Sequence, residues 1–377
     1  MIYFDNSATT QPFIEVADAV RTFMIEDFYN PSSLYAPSVA VKRSIQQVRE
    51  QIAKDLRVQK EEVYFTSCGT ESNVTAILGV MQRTHGNGHL VTGLAEHASV
   101  WETVNRLAQQ GCAVDSLATD TNGCVRPEDL ERVMRPNTTM VCLMQVNNET
   151  GAINDIETLC RVAKQIAPQC VFLCDGVQAY PKYAMPAGVD LYSFSGHKFH
   201  APRGVGVLMA RKHVKLPALL TGGGQESGMR SGTENAPAII GLGVALQRYL
   251  HDHDAYMRRM QEVKDTLWNG LKEIPGVHRN GAQDGAPHIL SVSFANVQAE
   301  TLLHALEERQ IYVGTGSACS SHKKGGNRIL KAMGVSPQWT QGTIRFSFSC
   351  MNTKEEAEQV AREVQRALVR IRRFTKR

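Results

Sequence analysis

From residue 63 onward the sequence alternates short apolar runs with segments whose apolar residues recur every three or four positions. The runs read EVYFTS, HLVTG, CAVDSLA, MVCLMQV, CVFLCD, VDLYSFS and GVGVLMA, and helical patterns such as 99–110, 127–134 and 156–167 lie between several of them. A strand that is apolar on both faces and is followed by an amphipathic helix belongs to a parallel sheet covered on both sides. The pattern therefore predicts an α/β fold with a mainly parallel, seven-stranded sheet sandwiched by helices. Ligands of such sheets bind beyond the carboxyl ends of the strands. The polar residues that end each run are the ones to examine for chemistry.

After residue 210 the rhythm changes. A glycine-rich stretch, TGGGQESGMRSG at 221–232, is either a connector or a backbone able to approach an anion closely. Two long helical patterns follow at 234–249 and 252–271. Then come a strand (HILSVSF), a helix at 300–308, a short strand at 311–313, a loop, a helix at 327–333, a strand (TIRFSFS) and a long final helix. This reads as a smaller α+β unit. The expected division is a large domain over 12–250 and a small one from 1–11 and 251–377, with the N-terminal strand joining the latter. A length of 377 residues suits two or three domains.

The run VDLYSFS ends at Ser195 and passes through Gly196 and His197 to Lys198 before a turn at Pro202 and Gly204. An amine held at a strand end among apolar neighbours, beside positive charge, has a depressed pKa and becomes a nucleophile able to form a Schiff base. A surface lysine in a hairpin loop is the alternative. The first run delivers Gly69 and Thr70 at a helix start, where free N–H groups and a hydroxyl suit a phosphate, or merely a helix cap. The second leads to Glu96 and His97, a ring able to stack or to carry a proton. MVCLMQV delivers Asn147 and Asn148, which are turn formers or donors to a ligand. CVFLCD delivers Asp175 and then Gln178, and a carboxylate straight after apolar residues calls for a cation or a protonated nitrogen. Arg345, inside an apolar strand, faces either a ligand carboxylate or a structural partner. Together these are the requirements of pyridoxal phosphate, the electron sink for amino-acid carbanions.

Composition narrows the class. Hydrophobic residues make up 42% and charged residues 21%, ordinary globular usage. A net charge of +4 is too small to argue for nucleic acid, and the basic end VRIRRFTKR reads as a solvated helix end. No apolar run spans a bilayer, and MIYFDNSATT is unlike a signal peptide. The nine cysteines form no CxxC pair or zinc-type spacing, so the expectation is no metal site and reduced thiols in a cytoplasm. Cys319 stands apart from the rest: it lies in GTGSACSSHKKGG among small polar residues, and His322, Lys323 and Lys324 favour its thiolate.

Read together, YFDNSATT, NPSS at 30–33, FTSCGTESN, VNNETG, DGVQ, SFSGHK, GGGQESGMRSGTEN, GSACSS and IRFS resemble the cysteine desulfurases of the NifS and IscS type, in the class V branch of fold type I pyridoxal phosphate enzymes. The resemblance runs nearly end to end, and the Cys319 loop is similar to that of the long, mobile-loop group. It implies that Lys198 holds the cofactor through its amine, Asp175 pairs with the ring nitrogen, Gln178 contacts the ring oxygen and His97 stacks on the ring. It further implies that Gly69, Thr70, Ser195 and His197 hold the phosphate, with Thr233 reaching across from the other subunit of a homodimer. Asn148 and Arg345 would bind the substrate carboxylate. L-cysteine would become alanine, and Cys319 would carry the sulfur as a persulfide to an acceptor protein, for iron–sulfur cluster assembly or tRNA thiolation. Four positions depart from the family pattern: Cys68 for a usual glycine, Gly176 for alanine, Tyr35 near a usual histidine and Ser227 for a frequent arginine. Another class V activity, transamination or selenocysteine cleavage, and a sulfur-delivery scaffold with little turnover are the rival readings.

Overall fold

The structure is a computed structural model and describes residues 1–84, 88–316 and 327–375. It opens with a two-residue strand, β1 (Ile2–Tyr3). The seven apolar runs then form seven strands: β2 (Val63–Thr66), β3 (His89–Gly93), β4 (Ala113–Leu117), β5 (Thr138–Met144), β6 (Val171–Asp175), β7 (Leu191–Ser195) and β8 (Gly206–Ala210). They lie side by side in the order β2-β8-β7-β6-β5-β3-β4. Only β8 runs against the others, pairing antiparallel with both β2 and β7. The inner strands β3, β7 and β8 are buried at every residue, whereas β4, at the sheet edge, is largely uncovered and carries Asp115 and Ser116.

Helices cover both faces. On one, Ala76, Ile77, Val80 and Met81 of the helix Gly69–Gln82 pack on Leu90, Met140, Leu173, Leu191 and Leu208 of five strands. On the other, Leu159, Ala163, Leu242 and Leu246 pack with Val91, Val141, Phe172 and Phe194. The helices Ala98–Gln109, Pro127–Val133 and Ile156–Ile166 match their predicted spans within a residue or two. Local chemistry sets their starts: the His97 ring accepts from the Ser99 N–H, the Asp155 carboxylate accepts from the Thr158 N–H, and Pro127 stands in the first helical turn. The helices Ile14–Ile25 and Ala36–Leu56 lie before the point where the strand rhythm begins. In the second, Val41, Ile45, Val48, Ile52 and Leu56 recur at helical spacing and are buried.

The remaining strands are β9 (Val277–Asn280), β10 (Ile289–Phe294), β11 (Ile311–Tyr312) and β12 (Thr343–Ser347). β12-β10-β9 form an antiparallel sheet, and β1 pairs with β11. The expected N-terminal strand thus joins the C-terminal part of the chain. β9 was not anticipated, because VHRN has one apolar residue and nothing of a strand period. A separate apolar cluster unites Ile2 and Phe4 with Met260, Leu267, Val292, Leu306, Ile344, Phe346 and Leu368.

Candidate active site

A cleft of about 460 Å³ opens at the carboxyl edge of the large sheet, within the range of small-molecule sites. Its lining collects Gly69, Thr70, His97, Asn148, Asp175, Gln178, Ser195, His197, Lys198 and Arg345. Every described residue assigned to one chain's site therefore converges on one cavity. Cys319, with His322, Lys323 and Lys324, lies outside the described residues.

Lys198 sits on a single 3₁₀ turn, Gly196–Lys198, that carries the chain off the end of β7. Its Nζ donates to the carbonyls of Ser7 at 2.6 Å and Ala8 at 2.8 Å. Burial, and then the Arg345 guanidinium, push this amine down to about 8, while Asp5 and Asp175 pull the other way. Burial also pushes His197 down to about 3, so the ring beside Lys198 in sequence is neutral and the positive charge acting on the amine comes from Arg345.

Asp175, the last residue of β6, is buried and held at both oxygens. Asn73 Nδ2 donates to Oδ2 at 2.8 Å and the Val177 N–H to Oδ1 at 2.9 Å. Asn73 is in turn fixed by the Ser193 hydroxyl, 2.6 Å from its Oδ1. Nothing in the sequence singles out Asn73, which reads as one more polar residue near a helix start. His97 caps its helix through Nδ1, which accepts from the Ser99 N–H at 3.1 Å and leaves Nε2 to carry the proton of the neutral ring. Burial lowers the His97 pKa, against the pull of Asp175.

At the end of β2, Cys68 is the N-cap of the helix Gly69–Gln82, and no side chain caps that helix's free N–H groups. A Cβ on Gly69 would come within 2.5 Å of the Val177 side chain and 3.7 Å of Ser195 Cβ, so glycine lets the helix start lie against the Ser195 strand end. The Ser195 hydroxyl is buried and has no hydrogen-bond partner among the described residues. Free helix N–H groups and an orphaned hydroxyl side by side suit a phosphate. Cys68, which stands where the family usually has glycine, has extended backbone that any residue adopts (φ −173°).

Arg345 crosses from β12. Its guanidinium donates to Asp5 Oδ1 at 2.7 Å and to the Asn148 carbonyl at 3.0 Å. Of the two readings of this arginine, the ion pair is present, with Asp5 as the partner that sequence did not identify. Arg345 Nε and Asn148 Oδ1 are nonetheless buried without partners, so the pair keeps capacity for a ligand. Gln178 Nε2 donates to the Ser7 carbonyl at 3.0 Å, which leaves its Oε1 for other contacts. Thr233 does not line the cleft. It is exposed and borders a second cavity of about 170 Å³ beside Ser67, Glu226 and Arg230.

The departures find physical partners. A Cβ on Gly176 would fall 2.1 Å from Tyr192 Cζ, so glycine here accompanies the tyrosine, whose hydroxyl donates to Gln145 at 2.8 Å. Ser227 has left-handed backbone (φ 55°) and is exposed, and Tyr35 is the exposed N-cap of Ala36–Leu56.

Comparison with known proteins identifies the family. The family described as aminotransferase class-V matches residues 2–360. A curated cysteine desulfurase IscS from Methanosarcina thermophila is 37% identical, over 99% of this chain and 93% of that protein. A solved NifS-like protein superposes with a TM-score of 0.91 at 33% identity, covering 98% of this chain and 99% of its own. A structure described as SspA in complex with cysteine superposes with a TM-score of 0.82 at 29% identity, covering 92% and 99%. With the family matched over residues 2–360 and the fold shared over nearly the whole length, the chain belongs to the class-V aminotransferase family of pyridoxal-phosphate-dependent enzymes, among relatives named cysteine desulfurase.

Proposed function

We propose that this chain is a pyridoxal-phosphate-dependent cysteine desulfurase that converts L-cysteine to L-alanine and passes the sulfur to Cys319. The observation that carries the reading is Lys198: its depressed amine enters a cleft that also gathers a doubly held carboxylate, an uncapped helix start and an orphaned serine hydroxyl.

The residues present fit the cofactor. Gly69, Thr70, Ser195 and the neutral His197 would hold the phosphate as hydrogen-bond donors, Asp175 would hold a protonated ring nitrogen, Gln178 would serve the ring oxygen and His97 would cover the ring. Bound pyridoxal phosphate supplies the electron sink for a carbanion at the substrate Cα. Asn148 and Arg345 orient the substrate carboxylate, with Asp5 holding the guanidinium in place. Lys198, with a pKa near 8, is neutral often enough at cellular pH to take the Cα proton and to return it. The Cys319 thiolate attacks the substrate sulfur and the carbon–sulfur bond breaks. Cys319 keeps the sulfur as a persulfide, and the three-carbon product regains a proton to leave as alanine. The described stems of its loop support this role: Gly314, Thr315 and Gly316 line the cleft, and Asn327 Nδ2 donates to Glu149 at 2.6 Å, one residue from Asn148.

The partner subunit is a second copy of this chain. Ile14, Met24, Ile25, Phe28 and Leu34 stand exposed within one stretch of the chain, apolar side chains that a second copy would cover, and Thr233 lies outside its own cleft. Sedimentation of the native protein as a dimer, and of Phe28→Glu with Leu34→Glu as a monomer of lower cofactor affinity, tests this. The two apolar clusters support a large domain over 12–250 and a small one from the two chain ends. All eight described cysteines are unpaired thiols, which fits a reducing cytoplasm, and the final acceptor is a sulfur-carrying protein of iron–sulfur assembly or tRNA thiolation. No described helix is long and apolar enough to cross a membrane. Supplying L-cysteine and measuring alanine with sulfide tests the reaction itself.

A further inference from the structure

Behind Lys198, away from the cleft, lies a small enclosed cavity lined by Lys198 itself together with Lys182, His200, Tyr249, His288 and Gln178. Its volume of about 10 Å³ for water centres is room for one water molecule. The surroundings are polar but carry no carboxylate among the described residues. The Tyr249 hydroxyl, fully buried, has no hydrogen-bond partner there. Lys182, 5% exposed, reaches in from the segment after β6, and its Nζ donates to the main-chain carbonyl of Lys198 at 3.2 Å. The same ammonium lies 5.9 Å from the centre of the Tyr249 ring. Two lysines thus line one small cavity, with a single carbonyl and an aromatic face as support for the second. Burying one ammonium without a carboxylate is costly, and burying two beside the same cavity costs more.

We propose that Lys182 is a second titrating amine of this site: a positioning residue that holds the main chain of Lys198 from behind and shares one positive charge with it. When Lys198 is charged, Lys182 is neutral. When Lys198 is neutral, Lys182 takes up a proton from bulk water. This deepens the function proposed above, since a base that alternates between charged and neutral forms keeps a nearly constant local charge if its neighbour alternates in the opposite sense.

The charges around Lys182 agree with such sharing. Burial, and then the Lys198 charge, push Lys182 down to about 7. The other titratable groups facing it offer no fixed negative charge. His200 is pushed down to about 4 and His288 well below its usual range, so both rings are neutral. Cys350 is pushed up to about 12 and Tyr249 well above the usual phenol, so neither is an anion. His253 donates to the Lys182 carbonyl at 2.9 Å and anchors the segment without pairing its amine.

The test is a proton titration of the cofactor-free protein, labelled with ¹³C and ¹⁵N at the lysine side-chain ends and followed by magnetic resonance. The Lys182 signal is the one missing in Lys182→Met. In the native chain its midpoint is expected near neutrality, and in Lys198→Met it should move up by at least half a pH unit. A midpoint that is the same with and without Lys198, or that stays near the ordinary lysine value of about 10.4, overturns the proposal. Should Lys182→Met fail to fold, Lys182→Gln provides the assignment. Added pyridoxal phosphate separates the two readings: its protein-bound absorbance should vanish in Lys198→Met and persist in Lys182→Met. Absence of that band from the native protein would remove the cofactor reading, and the midpoint comparison would still decide the shared charge.

Discussion

The cleft has two parts of different construction. One part is the edge of the large sheet, where Thr70, His97, Asn148, Asp175, Ser195 and Lys198 each end or follow an apolar strand. The other comes from residues 5–8, Gly314 and Arg345, where hydrogen bonds join positions far apart in sequence, Asp5 to Arg345 and Ser7 to Lys198. In the first part a rigid strand end aims each side chain. In the second, two carbonyls hold the amine and one carboxylate holds the guanidinium. The sheet edge supplies chemical groups, and the N-terminal segment sets their resting positions and charge.

Substitutions at the sheet edge should therefore abolish chemistry, and those in the second part should shift binding. Lys198→Ala is expected to lose roughly 10²–10⁴-fold or more in alanine formation together with the bound-cofactor absorbance. Asp175→Ala should cost about 10²–10³-fold, since it removes the carboxylate proposed to face the ring nitrogen. Asn73→Ala should cost about tenfold, because the Asp175 carboxylate keeps its Val177 N–H but loses its amide donor. Across the cleft, Arg345→Lys should raise KM for L-cysteine about tenfold with a smaller change in kcat, as a forked donor is replaced by a point charge. Asp5→Asn should change KM less. Equal kcat losses at Arg345 and Asp175 would erase the distinction between the two parts.

Buried titrating groups give the fold a pH signature. Lys182 and Lys264, both pushed down to about 7, and Lys198, at about 8, bind fewer protons folded than unfolded. The unfolded chain, with lysines near 10.4, therefore holds the excess protons above pH 7, and stability rises with pH there. His197 and His200, at about 3 and 4, act in the same sense between those values and about 6.5. Cys160, at about 11, and Cys170 and Cys350, at about 12, act oppositely: above the free-thiol value of about 8.5 the unfolded state loses protons that the folded state keeps. Denaturant midpoints of the cofactor-free protein should climb from pH 4 to about 8 and level or fall beyond it. The smallest expected effect is Gly176→Ala, about 1–3 kcal/mol of destabilisation from overlap with Tyr192, eased when Tyr192 is shortened to leucine.

The same contrast explains what the sequence revealed. The seven strands and the residues ending them were legible because burial on both faces leaves an uninterrupted apolar run, and the polar residue that stops it is conspicuous. Asn73 was not, since its role depends on Asp175 standing opposite it, 102 residues away. Asp5 and the Ser7 and Ala8 carbonyls were invisible for a related reason: main-chain acceptors carry no residue signature, and the pairing of Asp5 with Arg345 follows from β1 joining the small sheet region. Lys182, with no motif around it, emerges only once a cavity is seen behind Lys198. The helix Ala36–Leu56 lies before the first strand run and was not read from the sequence, although its buried residues recur at helical spacing.

The central claim is that the Lys198 amine and the Cys319 thiol act on one bound amino acid. Single-turnover reaction of the cofactor-loaded protein with L-cysteine labelled at sulfur, read by mass spectrometry of the Cys319 peptide together with alanine release, tests it most directly. The account predicts one labelled sulfur on Cys319 per alanine formed, with neither product from Lys198→Ala and no labelled peptide from Cys319→Ala. Alanine formed at the native rate by Cys319→Ala, or labelled sulfur found on another cysteine of the native protein, would contradict it.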